Sequence, residues 1–305
     1  MKNCRPSVAV GMPIFNGEQY LQQALESLIR QDYPELSILI SDNASSDSTA
    51  RIVRHYAERD SRIVFHRMAH NVGALENFRF VLRETQSDFF MWAAHDDIWP
   101  EGFVSAAANC LACDPDAVMV NSTTLLIDEN GKALPSWPSR PQLIDLGSLT
   151  YAARIKAIAE RVGWCIYGLI KKESLIATSV FTDNSPTQDV LLTYELAAMG
   201  SFRVLQSIKP FQYRLVPKTQ DMVASNLGIK SDKGQVMTNM FKQCAKAIGC
   251  SGQNAHDIGK ALALFIDTCA RHAEWWPYIA KENGISAHLN TISEAKRVLG
   301  RLAAA

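Results

Sequence analysis

Apolar and polar positions alternate in blocks along the first hundred residues. Ser7 to Met12, SVAVGM, is a short β-rich apolar run of the kind buried on both faces of a sheet, and it gives way to a turn, PIFNGEQY. Leu21, Ala24, Leu25 and Leu28 then recur at helical spacing, with Asn16 or Gly17 placed to cap that helix. The unit repeats. LSILIS (Leu36 to Ser41) reads as a strand, DNASSDS as a polar turn, and Thr49 to Glu58 as a helix with Ile52, Val53 and Tyr56 inward. RIVFHR and DFFMWAA read as the third and fourth strands, with LENFRFVLRE between them as a helix keeping Leu75, Phe78 and Leu82 in register. Strands alternating with helices of this length imply right-handed crossovers and a mainly parallel sheet flanked by helices, an α/β fold.

Beyond Pro100 the pattern predicts a helix (Gly102 to Ala112), then two β-rich runs in AVMVNSTTLLIDENGKAL with DENGK as the turn signal. A helix around Leu149 to Glu160 and a strand in WCIYGLIKK follow. SPTQDVLLTYELAAMG reads as an amphipathic helix with Ser185-Pro186 as its start signal and Gly200 as its stop. FRVLQS and KPFQYRLV read as strands, and the tail from about Lys230 to Ala305 as helices. There is no internal repeat.

In a parallel sheet, ligands gather at the carboxyl ends of the strands. Polar residues stand at four successive exits: Asn16 and Glu18, Asp42 and Asn43, His70 and Asn71, and Asp96 and Asp97. The last pair ends the stretch MWAAHDDIWP. Adjacent like charges resist burial, so the doublet either points into water from a surface loop or is offset by a hard cation with oxygen ligands.

At 305 residues and 47% hydrophobic content the chain can bury a full core. Thirty-one basic against 31 acidic residues give a formal net charge of +0, so no global field draws in nucleic acid or an anionic membrane, and anion binding must be local. The seven cysteines are scattered and odd in number, which argues against a disulfide framework and for a reducing cytoplasm. Cys110 and Cys113 have C-x-x-C spacing but lack a second pair and sit in an apolar helical pattern, so they read as core packing. The amino-terminal apolar run is too short for a signal peptide, and no stretch approaches the roughly 18 apolar residues of a membrane span, so a soluble protein is expected.

Four ordered motifs, VAVGMPIFNGEQYLQQALESLIRQ, ISDNASSDST, HNVGALENF and HDDIWPEGF, make the first hundred residues resemble the nucleotide-sugar-binding half of family two inverting glycosyltransferases. The likeness continues less tightly through YGLIKKESL, QDVLLTYELAAMG and YRL to about residue 215. It implies an A-type glycosyltransferase fold, a Rossmann-like mainly parallel sheet flanked by helices, with a helical C-terminal extension. The implied division is a catalytic domain at 1–220, with a nucleotide-sugar half at about 1–115 and an acceptor half at about 116–220, and a helical region at 221–305.

The resemblance implies transfer of a single sugar from a UDP- or dTDP-type nucleotide diphosphate donor to a glycan or lipid-linked acceptor in cell-surface polysaccharide synthesis. The processive signature Q-x-x-R-W is absent. Asp96 and Asp97 would hold Mn²⁺ or Mg²⁺ on the departing phosphates. Pro13, Phe15, Asn16, Glu18, Asp42, Asn71 and Asp96 would line the nucleotide pocket, Asp42 reading the base unless it serves only as a turn or cap. Asp189, standing where relatives carry an acidic pair, would be the catalytic base, its pKa lowered by the helix dipole. Trp99, Trp164, Tyr167, Gln188 and Arg214 are candidates for the donor and acceptor pocket, with Arg214 and Lys218 able to swing onto the diphosphate. Two departures stand out: Ala94 replaces a carboxylate often found there, with His95 beside it, and Gln188 replaces Glu. They keep open a non-catalytic nucleotide-sugar-binding or scaffolding protein of the same fold. A nucleotidyltransferase would want a Gly-rich, basic loop after the first strand, which PIFNGEQY is not. The C-terminal helices could dock peripherally at the inner face of a membrane, pair two subunits, or cover the acceptor site.

Overall fold

The structure, a computed structural model, describes residues 5–135, 145–160, 165–182, 188–215 and 243–271. Its first half runs β1 (Val8–Ile14), α1 (Leu21–Ile29), β2 (Leu36–Asp42), α2 (Thr49–Ala57), β3 (Ile63–Arg67), α3 (Ala74–Arg83), β4 (Phe89–Trp92) and α4 (Phe103–Cys113). The second half adds β5 (Ala117–Ser122), β6 (Thr124–Ile127), α5 (Tyr151–Ala159), β7 (Leu169–Lys171), α6 (Lys172–Ile176), α7 (Gln188–Met199), β8 (Ser201–Leu205) and β9 (Phe211–Arg214). Among the described residues the main sheet has the order β3-β2-β1-β4-β7-β5-β8, and β6 pairs with β9 in a second, two-stranded sheet. β1, β2, β3 and β4 are mutually parallel, β7 is antiparallel to both neighbours, and β8 is parallel to β5. The expected α/β architecture with a mainly parallel sheet is the one observed.

Period-two alternation sorts β1 and β4 between two cores. Val8, Val10, Met12 and Ile14, with Phe89, Met91 and Ala93, face α1 and α4 through Leu21, Leu25, Leu28, Phe103 and Val104. Ala9, Phe90 and Trp92 face the other side, where Val81 and Leu82 of α3 meet α5 and α7. The described part of the C-terminal region joins this second core: Cys244 and Ile248, then Ala261, Leu262 and Phe265 of the helix Ala255–Arg271, pack against Tyr151, Ile155 and Tyr194. The Tyr194 and Phe265 rings lie 5.2 Å apart, and the Tyr151 hydroxyl donates to the Ile248 carbonyl at 3.0 Å.

Several local expectations need correction. The first strand does not stop at Met12 but runs through Pro13 to Ile14. Gly11 accepts from Ala93 across the β4 edge and Ile14 accepts from Asn43 on the β2 side. Pro13 therefore faces the β4 side just past the end of that strand, where its missing N–H breaks no ladder bond. WCIYGLIKK supplies only the three-residue β7, preceded by a 3₁₀ turn at Cys165–Tyr167. Gly168 passes so close to β5 that a Cβ there would lie 2.6 Å from Asn121 Oδ1 and 2.7 Å from the Val120 carbonyl.

DENGK turns residues 132–134 back onto β6, through Asp128 N–H to Lys132 O at 2.9 Å and Leu134 N–H to Leu126 O at 2.8 Å, and does not join the two apolar runs, which lie in different sheets. α7 is buried almost all round rather than amphipathic, as befits a helix wedged between two layers, and its start signal Ser185-Pro186 lies outside the described residues. Cys110 is half-buried and packs against the core beneath α4, whereas Cys113 is exposed, so the core-packing expectation holds for only one of the C-x-x-C pair.

Gly11 has no room for a side chain: an added Cβ would sit 2.7 Å from Phe90 Cζ and 2.7 Å from Val81 Cγ2, both in the packed α3 face. Gly11→Ala is expected to destabilise the fold by about 1–3 kcal/mol through overpacking. Urea unfolding of the variant against the wild type checks this, and an unchanged midpoint would contradict the packing.

Candidate active site

The exits of β1, β2 and β3 are tied to one another by side chains. Asn16 takes the left-handed region (φ 50°), and its Oδ1 accepts from Ser46 N–H at 2.9 Å while its own N–H donates to Ser45 Oγ at 2.9 Å. Gly17 N–H donates to Thr49 Oγ1 at 2.9 Å, and the Glu18 carboxylate accepts from Ser48 N–H at 2.8 Å, at the start of α2, where the helix dipole favours a negative charge. α1 accordingly starts at Tyr20 with no side-chain cap, so neither Asn16 nor Gly17 caps it: both are engaged with the next loop. Burial pushes the Asp47 carboxyl up, but hydrogen bonds from the Thr49 side chain and backbone and from Glu18 N–H outweigh it and hold the pKa below the ordinary value. Pro13 is buried within β1, while Phe15 is 40% exposed and leaves an aromatic ring at the rim.

Register places Ile14, Asp42 and Arg67 at one level of the sheet. Asp42 is fully enclosed: Oδ1 accepts from Ser45 N–H at 2.9 Å and Oδ2 lies 3.4 Å from Arg67 Nε. The polar surface at this exit is carried by the half-exposed Arg67, whose role sequence reasoning missed although its position at the end of β3 marks it for the rim. Asn43 and Asn71 do not both face the cleft. Asn43 Nδ2 donates to Asn71 Oδ1 at 2.9 Å, Asn43 Oδ1 accepts from Val72 N–H, and Asn71 Oδ1 also accepts from Gly73 N–H. Asn71 is exposed, with its amide nitrogen directed away from these bonds. His70 is exposed as well.

At the β4 exit the two acidic residues occupy different environments. Asp96 is half-buried, whereas Asp97 is 1% exposed and its Oδ1 accepts from Arg214 N–H at 2.8 Å. The His95 ring lies against Gly17, where a Cβ would come within 2.7 Å of Cδ2. Arg214 does not swing onto a diphosphate. It is 3% exposed, and each guanidinium nitrogen donates to protein: Nε to Asp96 O at 2.9 Å, Nη1 to Asp128 O at 3.0 Å and Glu129 O at 3.2 Å, Nη2 to Gln23 Oε1 at 2.7 Å. Trp99 is not a pocket wall either: it is 2% exposed and packs on Phe211 with ring centroids 5.0 Å apart. Trp164 and Lys218 lie outside the described residues.

Across the cleft stand Tyr167 and Asp189. Burial pushes the Tyr167 phenol well above its ordinary pKa, and the charges of Asp97, Asp96 and Asp189, with Tyr213, push the same way. The turn Cys165–Tyr167 packs against both β4 and α7, so this phenol senses the acidic doublet after β4 and the carboxylate at the start of α7. Asp189 is exposed to solvent yet ringed by protein, and that crowding raises its carboxyl pKa above the ordinary value despite hydrogen bonds from its own and Val190's backbone N–H. The dipole argument alone predicted a lowered pKa; desolvation wins over it. Gln188 is buried, and its Nε2 donates to Val180 O at 2.8 Å and Ser179 O at 3.4 Å, so it holds the preceding loop rather than lining the pocket.

The donor set suits a hard cation completed by substrate. Among the described residues no three His, Cys, Asp or Glu side chains cluster as a self-sufficient metal site; the half-buried Asp96 stands next to the enclosed Asp97. One or two carboxylates with phosphate oxygens and water is the pattern of Mg²⁺ and Mn²⁺ in nucleotide sites.

The sequence model of glycosyl transferase family 2 matches residues 9–175. The dTDP-rhamnosyl transferase RfbG of Shigella flexneri is 28% identical over 189 residues, which is 59% of this chain and 61% of that protein. The putative teichuronic acid biosynthesis glycosyltransferase TuaG of Bacillus subtilis is 29% identical over 99 residues, 32% of this chain and 39% of that protein. An uncharacterized glycosyltransferase of Rickettsia typhi is 25% identical over 130 residues, 42% of this chain and 40% of that protein, so the match spans about two fifths of that relative's length. Among solved structures, S. aureus TarS 1-349 in complex with UDP-GlcNAc superposes with a TM-score of 0.70 over 98% of this chain and 83% of that one at 15% identity. The mannosyltransferase PcManGT from Pyrobaculum calidifontis, in complex with GDP-Man and Mn²⁺, gives 0.51 over 95% of this chain and 87% of that one at 18% identity. At these identities the likeness is one of fold.

A raised Asp189 pKa reverses the usual sign for a carboxylate. Ionising it costs the folded state stability above its folded pKa, and the cost is absent below the unfolded value. Asp189→Asn is therefore expected to melt above the wild type at pH 7, with the gap closing as pH falls through the carboxylate range. Thermal unfolding across that range checks it; a variant that melts lower at neutral pH contradicts the desolvation.

Proposed function

The chain belongs to glycosyl transferase family 2, and from that premise we propose that it transfers a single sugar, with inversion, from a UDP- or dTDP-type nucleotide diphosphate to a hydroxyl of a glycan or lipid-linked acceptor. The observation that supports the reading is that the turn Cys165–Tyr167 packs against both β4, whose exit carries Asp96 and Asp97, and α7, whose first turn carries Asp189.

In the proposed reaction Asp189 accepts the acceptor hydroxyl's proton as its oxygen attacks the anomeric carbon, and the bond from that carbon to the diphosphate breaks, the diphosphate leaving with the electron pair. A raised pKa makes the carboxylate a stronger base for proton abstraction. Asp96 would hold Mn²⁺ or Mg²⁺, with the buried Asp97 charge beside it; the bound cation supplies charge stabilisation to the departing phosphates. Tyr167, held protonated, presents a hydroxyl donor between doublet and base. The base of the nucleotide lies in this proposal over the β2 exit, where Arg67 and the Asp42 behind it carry the polar edge, with Phe15 at the rim. Asn16, Glu18 and Asn71 act mainly by fixing the loops that surround the nucleotide.

The likeness to a dTDP-rhamnosyl transferase, to a putative teichuronic acid biosynthesis glycosyltransferase and to TarS in complex with UDP-GlcNAc supports a sugar nucleotide as donor and a cell-surface polysaccharide as the product class. No helix among the described residues is long and apolar enough to cross a membrane. We place the catalytic portion at residues 1–220, with Cys244, Ile248, Ala261, Leu262 and Phe265 packed onto it, and expect work at the inner face of the membrane, the parts of 221–305 outside that packing serving peripheral docking or pairing.

The test is a transfer and hydrolysis assay with UDP- and dTDP-sugars and Mn²⁺. Asp189→Asn is expected to lower kcat about 10²- to 10⁴-fold while nucleotide binding, read by thermal shift, persists. The wild-type kcat/KM should rise with pH along an acidic limb lying above the ordinary carboxylate range, in keeping with the raised Asp189 pKa. Binding without any turnover by the wild type would make the chain a non-catalytic nucleotide-sugar-binding protein instead.

A further inference from the structure

Arg214 reaches both members of the acidic doublet with different atoms. Its backbone N–H donates to Asp97 Oδ1 at 2.8 Å and its Nε to the Asp96 carbonyl at 2.9 Å. The same guanidinium grips the 128–131 turn through Asp128 O and Glu129 O, and α1 through Gln23 Oε1, while its Cζ sits 4.4 Å from the centre of the Tyr20 ring. Next to this latch, Ile98 and Gln212 exchange backbone hydrogen bonds at 3.0 and 2.9 Å. A guanidinium that is 3% exposed must be met by acceptors, and here the acceptors are carbonyl and amide oxygens, none of them a carboxylate of the doublet. Arg214 lies 118 residues beyond Asp96 in sequence.

We propose that Arg214 is a positioning residue for the divalent cation: through the Asp96 main chain and the Asp97 side chain it fixes the β4 exit so that the Asp96 carboxylate faces the cleft. The proposal deepens the transferase reading and rests on it. In this proposal Arg214, whose hydrogen-bond partners are all protein groups, acts without contact to nucleotide or metal. Lysine keeps the charge at this position but has one nitrogen, which cannot span acceptors on three separate segments with the planar fork of a guanidinium.

The experiment measures Mn²⁺ affinity from the electron paramagnetic resonance signal of the free ion, in the presence of UDP, for the wild type, Arg214→Lys and Gln23→Leu. UDP affinity in EDTA and amide hydrogen exchange at Ile98 are read alongside. Arg214→Lys is expected to weaken Mn²⁺ binding about 10- to 100-fold, the range seen when a group that orients a metal ligand is lost. Excess Mn²⁺ should restore binding, UDP affinity in EDTA should not change, and Ile98 should exchange faster while the core strands do not. Gln23→Leu removes one partner only, moves the same quantities by less, and keeps the test open should Arg214→Lys fail to fold. Folded variants with wild-type Mn²⁺ affinity overturn the proposal, and so does a loss of UDP affinity in EDTA, which would mean direct phosphate contact. A wild type that binds no Mn²⁺ with UDP overturns the metal-dependent transferase reading itself, and this proposal with it; the wild-type arm thus separates the two failures.

Discussion

A parallel sheet leaves all its strand exits at one edge, and each exit ends in backbone donors and acceptors that the ladder no longer serves. This protein meets that demand sideways. Asn16 bonds to Ser46, Glu18 to Ser48, Asn43 to Val72 and to Asn71, in every case across a sequence separation of 28 to 30 residues. That separation is the length of one strand–helix unit, so each exit loop is held by the one that follows it. The cleft is shaped by these bonds. A polar residue at a strand exit serves first as a tie between loops, and ligand contact is left to the atoms that the ties do not use.

The second half of the molecule solves a different problem, the burial of charge. Asp97, Asp42 and Arg214 are all essentially enclosed, and an isolated buried ion would cost several kcal/mol. Asp42 is offset by Ser45 N–H and the Arg67 guanidinium. Asp97 accepts from the Arg214 backbone N–H, and the Arg214 guanidinium is met by the carbonyl dipoles of the turn after β6. The small β6/β9 sheet therefore does more than extend the fold: it carries the residue that closes the back of the acidic exit.

The alternation of apolar blocks made the sheet, its parallel character and its ligand edge legible, because period and block length depend only on neighbours in sequence. The acidic doublet, Asp42 and Asp189 were legible as positions for the same reason, and the structure brings Asp96, Asp97 and Asp189 within electrostatic reach of one phenol. What each side chain does was less legible. Arg214 looked like a mobile cation because its partners, from Gln23 to Glu129, lie 85 to 191 residues away. Trp99 looked like a sugar platform because Trp suits that role, yet its neighbour Phe211 makes it core. Gln188, read as a departure in the pocket, is the residue that fastens the loop at Val180. The extent of β7 escaped notice because Gly168 must slide past the β5 backbone, a constraint that no run of apolar residues announces.

Asp189 shows how the two halves act together. A carboxylate at a first helical turn would, by the dipole alone, be a weak base and a stabilising one. Here the surrounding protein raises its pKa while its surface stays open to solvent, which trades stability for basicity at the mouth of the cleft. The negative charges that Tyr167 senses from the doublet would, unmatched, repel a diphosphate. A divalent cation held by the doublet would change that sign locally. On the proposed reading, the acidic doublet after β4 serves the departing anion with its counterion and Asp189 on α7 receives the proton, while Tyr167, whose turn packs against both elements, stays protonated.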